Sequence, residues 1–306
     1  MKFQKYQHVC RYGTQETNGI EDGRVFVFPK FDGSNASVWM EDGQICAGSR
    51  NRKLGLGKED NQGFYGWVLE NENIKQYLTK HPTHRLFMEW MKPHSLKTYE
   101  DNVWGQAFVF DVCIDNGHNV EDGELEYLSY FEYSPYLEEF NIPYLPVLEI
   151  FNNPTIAELK ECVEDNNYLI KDDEGRGEGI VIKRYDFKNK YGRTVWAKIL
   201  HEEFTNRGNK KNPNKPVDDG FLERDIVANY VTSHFVEKEY AKIINEDEDM
   251  PRKKLIPMLL SKVWYELINE EMYNVVKKYR SPVIDFKKLN MFVINKVKEI
   301  KVDLFV

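Results

Sequence analysis

Lys30 closes an apolar, strand-like run, "VFVFP", and is followed within five residues by Asp32, Gly33, Ser34 and Asn35. A lysine at the end of a buried strand lays its stem on apolar surface and turns its amine toward a cleft. Desolvation and neighbouring cations there lower its pKa from about 10.4 toward the range in which the neutral amine is a nucleophile. Taken alone, K-x-D-G is an ordinary snorkelling surface lysine in most proteins. It has company, however. Arg50 and Arg52 follow a strand in "AGSRNRKL", Glu89 lies in "LFMEWMKPH", Phe110 and Asp111 in "FVFDV", Glu178 and Lys183 in "GEGIVIK", and Lys198 in "VWAKIL".

Each has a plainer reading. Glu89 beside Trp90 reads as an edge-strand charge, and a lone aromatic at strand spacing, as Phe110 is, reads as core. Arg50, Arg52 and Lys53 read as a solvated basic turn. "DEGRGEGIVIK" has glycines at 175, 177 and 179 but enters a strand, so it is no dinucleotide fingerprint. "GLGKED" lacks the first glycine of a P-loop and the Ser/Thr after Lys58. His81, His84 and His94 flank Pro82 and Pro93 without metal-ligand companions and read as turn or hydrogen-bonding residues.

The elements that must position these residues are short β-like runs up to about Leu200: "RVFVFP", "ASVWMEDGQICAG", "RLFMEWM", "GQAFVFDVCI", "EGIVIKRYDF" and "RTVWAKIL", with "EDGQ" as a hairpin turn. Period two puts Phe108 and Phe110 on one sheet face and Asp111 on the other, so Phe110 and Asp111 serve different surroundings, and the role of Asp111 is open. Two helical patterns interrupt, "YGWVLENENIKQYLTK" and "TIAELKECVEDN", the second begun at Pro154 and Thr155. Then "TNRGNKKNPNKPVDDG", 205–220, is Gly/Pro/Asn-rich without apolar period and marks a linker or surface loop, one whose lysines could also touch phosphates. Beyond it Leu255, Leu259, Val263 and Leu267 recur at four-residue spacing among helical patterns. The expected organisation is a catalytic domain over 1–204, the 205–220 linker, and a helical domain over 221–306, α+β in class.

A chain of 306 residues with 41% apolar, 30% charged and 14% aromatic residues is globular and rules out disorder. No stretch approaches the roughly 18–20 apolar residues of a membrane span, and "MKFQKYQHVCRYG" lacks a signal-peptide core. A soluble, intracellular protein without membrane partners is expected, cytoplasmic, or in the host cytoplasm if virus-encoded. Cys10, Cys46, Cys113 and Cys162 form no C-x-x-C and no His/Cys cluster, so they read as reduced thiols. The net charge of -8 argues against nonspecific DNA coating but is compatible with a local basic groove.

In this order, the motifs "KFDGSN", "SR", Glu89, Phe110, "EGIVIK" and "WAK" resemble the covalent nucleotidyltransferase superfamily of ATP-dependent ligases and capping enzymes, and within it the phage-type RNA ligase 2 branch, over roughly the first 200 residues. The resemblance implies an ATP-grasp-like nucleotidyltransferase domain of packed antiparallel sheets with flanking helices, followed by an all-helical domain. It implies Lys30 as the nucleophile on the α-phosphate of ATP, forming lysyl-AMP. It further implies transfer of AMP to the 5'-phosphate of an RNA strand and closure by a neighbouring 3'-hydroxyl, in nick sealing or repair of duplex or nicked RNA by a monomer. Asn35 matches a residue near the nucleotide phosphate, Arg50 the arginine that handles phosphates and the 5'-end, and Glu89 the carboxylate on the ribose. Phe110 matches the aromatic that stacks on adenine, Glu178 the carboxylate that holds Mg²⁺ or Mn²⁺, and Lys183 and Lys198 the lysines on the α-phosphate. Such chemistry asks for charge neutralisation and in-line positioning, which Arg50, Lys183, Lys198 and a divalent metal supply, and the same cations should disfavour protonated Lys30.

Two positions depart from that pattern. Trp196 stands where the last motif carries its first lysine, and Pro29 precedes the nucleophile where the nick-sealing type often has a polar residue reading adenine. The rivals are a capping guanylyltransferase or DNA ligase, which usually follow the core with a small β-barrel, and a non-catalytic RNA-binding protein, which has no use for a nucleophile beside a metal carboxylate.

Overall fold

A computed structural model describes residues 1–57, 60–92, 98–115, 125–172, 174–201, 222–247, 250–280 and 282–305. The described residues form two compact units, dividing between residues 201 and 222. The expected linker, 205–220, lies outside the described residues, as do Lys58 and His94.

The first unit is built of strands β1 (Cys10–Arg11), β2 (Arg24–Lys30), β3 (Ser34–Glu41), β4 (Gln44–Ser49), β5 (His84–Trp90), β6 (Ala107–Ile114), β7 (Glu126–Tyr127), β8 (Glu149–Asn152), β9 (Gly179–Lys183) and β10 (Ala197–Leu200), with helices α1 (Phe64–Glu70), α2 (Glu72–Lys80), α3 (Tyr130–Glu139) and α4 (Ile156–Asp165). One sheet has the order β1-β10-β9-β2-β8 and the other β4-β3-β5-β6-β7. All pairings are antiparallel except β1 with β10. The class is α+β, as the alternating runs imply.

Period two sorts each strand into two faces. In the first sheet Val25, Val27, Ile180, Ile182, Ala197 and Ile199 pack with Leu159 and Val163 of α4. In the second, Ala36, Val38, Leu86, Met88 and Trp90 pack beneath Phe64 and Val68 of α1, Ile74 and Tyr77 of α2 and Tyr133 and Leu137 of α3. The opposite faces carry Phe28, Lys30, Lys183 and Lys198 on one sheet and Asn35, Phe87 and Glu89 on the other, and this is the cleft side, where Phe28, Phe87 and Lys183 are buried.

Local signals place the turns. Asp42 and Gly43 both have positive φ, 51° and 77°, as a tight hairpin between β3 and β4 demands. Thr155 and Glu158 cap α4 reciprocally. The pattern "YGWVLENENIKQYLTK" is two helices instead of one, because Asn71 turns out of the helix and accepts a hydrogen bond from Ile74 N at 3.1 Å, capping α2.

The second unit consists of α5 (Leu222–Tyr230), α6 (Ser233–Glu246), α7 (Arg252–Glu266), α8 (Met272–Lys278) and α9 (Phe286–Ile300). Leu255, Leu259, Val263 and Leu267, the residues at four-residue spacing, are all buried there with Ile226, Val236, Val275, Leu289, Val293 and Val297. Among the described residues no helix is long and apolar enough to cross a membrane.

Candidate active site

Lys30 is the last residue of β2 and lies opposite Gly179 of β9. Its predecessor Pro29 has no N–H to donate, and β8 pairs β2 only as far as Val27, so the proline sits where the outer ladder has ended. The Lys30 ammonium donates to Glu178, and the two side chains are 22% and 11% exposed. Glu178 is held by its backbone: its carbonyl accepts from His201 N at 3.0 Å. Asn166 brackets it, taking Gly177 N on its carbonyl at 2.8 Å and giving its amide to Gly179 O at 2.7 Å. Gly179, at φ 154°, lies so close to β10 that a Cβ would stand 2.1 Å from Ile199 O, and only glycine can follow Glu178 here.

Across the cleft, Asn35 and Glu89 are register partners on β3 and β5. Glu89 accepts from Gly33 N at 3.0 Å, which ties the "FDG" turn after Lys30 to the second sheet. A Cβ on Gly33 would lie 2.7 Å from Trp90 O and 2.8 Å from Met91 Sδ, so this turn too needs glycine. Burial pushes the Glu89 carboxyl up to about 7, against the opposing pull of Lys30, with Glu178 adding to the rise. Lys30 thus stands within the field of two carboxylates. The hydrogen-bonded partner of Lys30 is an anion, and Lys183 bonds Asp111.

Lys183 is fully buried. Its Nζ donates to Asp111 Oδ1 at 2.7 Å and to Phe110 O at 2.5 Å, and it lies 4.5 Å from the centre of the Phe28 ring. Asp111 Oδ2 also accepts from Tyr6 OH at 2.6 Å and from Trp196 Nε1 at 3.1 Å. This answers where the unassigned aspartate goes, and corrects its expected face. The β5–β6 register shifts between Phe87 and Met88, where Phe87 pairs Asp111 and Met88 pairs Val109, so Phe110 is a bulge. Val109 and Val112 both enter the helix-covered core, and Phe110 and Asp111 both turn to the cleft side. Phe110 is half-buried, with the Tyr6 ring set edge-on at 4.9 Å.

Arg50, just past β4, is exposed, and its Nη2 meets His8 Nδ1 at 3.1 Å. Lys198 pairs Val181 in register and shares the cleft face with Lys30. The fold therefore brings Lys30, Glu178, Glu89 and Asn35 together, keeps Lys183 and Phe110 side by side in the wall, and carries Arg50 at the rim. Tyr6 and Asn166 escaped sequence reading, the first because its segment has no periodicity, the second because an asparagine after a helix reads as an ordinary cap.

The sequence model of the RNA ligase family matches residues 23–200, more than half of the chain. The chain belongs to the RNA ligase family. No curated protein matches the sequence. The fold is similar to that of Naegleria gruberi RNA ligase: an apo mutant (TM-score 0.50, 18% identity) and a mutant with ATP and Mn (TM-score 0.50, 16% identity) each cover 67% of this chain. The match spans 58% of the length of those ligases. A putative ATP-dependent DNA ligase from Aquifex aeolicus aligns over 96% of this RNA ligase family member and 66% of its own length, at TM-score 0.47 and 19% identity.

Proposed function

We propose that this protein is an ATP-dependent RNA ligase in which Lys30 is the nucleophile. The observation that carries the reading is Lys30 itself: an amine at a strand end, partly open to solvent, held by Glu178 on a cleft face shared with Glu89 and Asn35. In the reaction a bond forms between Lys30 Nζ and the α-phosphorus of ATP as the bond to the pyrophosphate oxygen breaks. AMP then passes from nitrogen to the 5'-phosphate oxygen of an RNA strand, and an adjoining 3'-hydroxyl displaces it to give the phosphodiester.

In this reading Glu89 and Asn35 meet the nucleotide's ribose and phosphates, Phe110 its base, and Lys198 and Arg50 its phosphates and the 5'-end. Glu178 offers a carboxylate oxygen beside Lys30, a donor that fits Mg²⁺ or Mn²⁺ completed by water and phosphate oxygens. Such an ion would neutralise charge on the triphosphate. Glu178 is the residue to hold it, since the amine that it now binds is the one that must be released to react. The resemblance of the motifs supports nick sealing or repair of duplex RNA, and the reading includes a catalytic domain over 1–204, a helical domain over 221–306 that engages RNA, and a cytoplasmic monomer.

The test is incubation with α-labelled ATP and Mg²⁺. Label should stay on the wild-type protein and be absent from Lys30→Ala; a mutant that labels normally would dismiss the nucleophile. Preference for GTP would favour capping, sealing of DNA nicks a DNA ligase, and RNA binding without label a non-catalytic protein. Comparison of single-stranded, nicked-duplex and RNA/DNA hybrid substrates reads out the natural junction.

A further inference from the structure

The bulge in β6 takes Phe110 out of the ladder with β5, and a carbonyl so displaced needs another donor. Lys183 Nζ supplies it at 2.5 Å, and takes Asp111, the next residue, at 2.7 Å. One ammonium thus grips both residues of the distortion. Around it the Phe28 ring stands at 4.5 Å and those of Trp196 and Phe110 at 5.7 and 6.0 Å, so two N–H groups are engaged by oxygens and the third faces aromatic surface. To touch a phosphate Lys183 would have to leave Asp111, a fully buried carboxylate, with neutral donors alone.

Those donors are Tyr6 OH and Trp196 Nε1. With its amide turned, Gln7 also offers an oxygen 2.8 Å from the Trp196 N–H, so the segment before β1 braces the indole as well as the carboxylate. Tyr6 acts twice: its hydroxyl holds Asp111 and its ring meets the Phe110 ring edge-on at 4.9 Å. Trp196 stands where a second lysine would sit in the pattern that the sequence resembles. A lysine there would give the enclosure a surplus positive charge, whereas indole leaves one cation against one anion. Both sheets and the N-terminal segment therefore meet at a neutral node whose outlet to the cleft is the half-buried Phe110 ring.

We propose that Tyr6, Asp111, Lys183 and Trp196 are positioning residues that set the Phe110 ring on which the base stacks, and that Lys183 is no phosphate ligand. The inference rests on the ligase reading, in which Phe110 stacks on adenine. Stacking energy is felt when the nucleotide binds, with little further change at the phosphorus, so loosening the platform raises KM and leaves kcat. Losing a phosphate contact slows the chemical step for every nucleotide alike.

The experiment measures initial rates of covalent labelling with α-labelled ATP and GTP for the wild type, Tyr6→Phe, Trp196→Phe and Phe110→Ala. Because Lys183→Ala could unfold by stranding Asp111, the charge-free pair Lys183→Met with Asp111→Asn is measured in its place, with melting curves for all. Each folded variant should raise KM for ATP about tenfold and hold kcat within about threefold, as Phe110→Ala does. Unchanged KM in Tyr6→Phe and Trp196→Phe, or a fall in kcat for both nucleotides with KM unchanged, overturns the proposal. Absence of label in the wild type removes the ligase reading and this inference together.

Discussion

Two lysine–carboxylate pairs occupy the cleft face of one unit and have opposite surroundings. Lys30 and Glu178 are reached by solvent, and the turns around them are fixed by backbone contacts that leave both head groups at the opening. Lys183 and Asp111, 2% and 0% exposed, are enclosed by Tyr6, Phe28 and Trp196, with hydrogen bonds on both carboxylate oxygens. Burial pulls the Lys183 ammonium below its usual range, with Asp111 opposing the fall. The charges are alike, yet only the first pair can exchange its partners for a metal ion and a phosphate. Access and the number of competing donors assign the chemistry; residue type does not.

That contrast breaks down most visibly if the two lysines respond alike to removal. Lys183→Ala should lower unfolding stability by about 3–5 kcal/mol, because it leaves a buried carboxylate without its cation. Lys30→Ala should stay within about 1 kcal/mol of the wild type in the same urea titration, since its partner can be rehydrated. Comparable losses would erase the distinction between an open and a closed pair.

A second test loads the open side sterically. Gly33→Ala forces a methyl into Trp90 O and Met91 Sδ and should cost about 1–3 kcal/mol while shifting the N–H that Glu89 accepts. If urea denaturation shows no loss, the turn after Lys30 is looser than its contacts imply.

The third is protonic. With its carboxyl at about 7 when folded, Glu89 binds its proton where the unfolded chain has released it. This contribution to stability is complete below about pH 4.5 and is lost as pH rises through 7. Glu89→Gln, which cannot ionise, should match the wild type near pH 4 and exceed it by about 3 kcal/mol above pH 8. A wild type that gains on the variant with rising pH would contradict the burial assigned to this group. The smallest effect is expected at the rim, where His8→Ala removes an exposed partner of Arg50. Stability should move by no more than about 0.5 kcal/mol, while transfer of AMP to an RNA 5'-phosphate slows; equal slowing of the first, protein-labelling step would place Arg50 elsewhere.

Much of the open pair was legible in the sequence. "VFVFPK" is an apolar run closed by a lysine, so the place of Lys30 at a strand end followed from the sequence, and Lys30, Glu89 and Glu178 converge in the fold. The closed pair was not, because a bulge is one residue of slip with no composition of its own: "AFVFDVCI" alternates perfectly on paper, and only pairing with β5 shows that the phase breaks at Phe110. Trp196 could be recognised as a departure, but its function depends on Tyr6, which lies 190 positions away in sequence. Helix α3 was also missed, since Pro135 and four aromatic residues in "YFEYSPYLEE" obscure its apolar stripe.

The sheet order carries a consequence for biosynthesis. Strand β2 leaves the ribosome early, but β8 and β9, its neighbours on either side, begin at Glu149 and Gly179. At roughly 5–20 residues per second, "VFVFP" waits on the order of ten seconds with both edges bare. A nascent chain in that state is a substrate for chaperones and for aggregation, and Pro29 is the one residue of the strand that refuses an incoming partner.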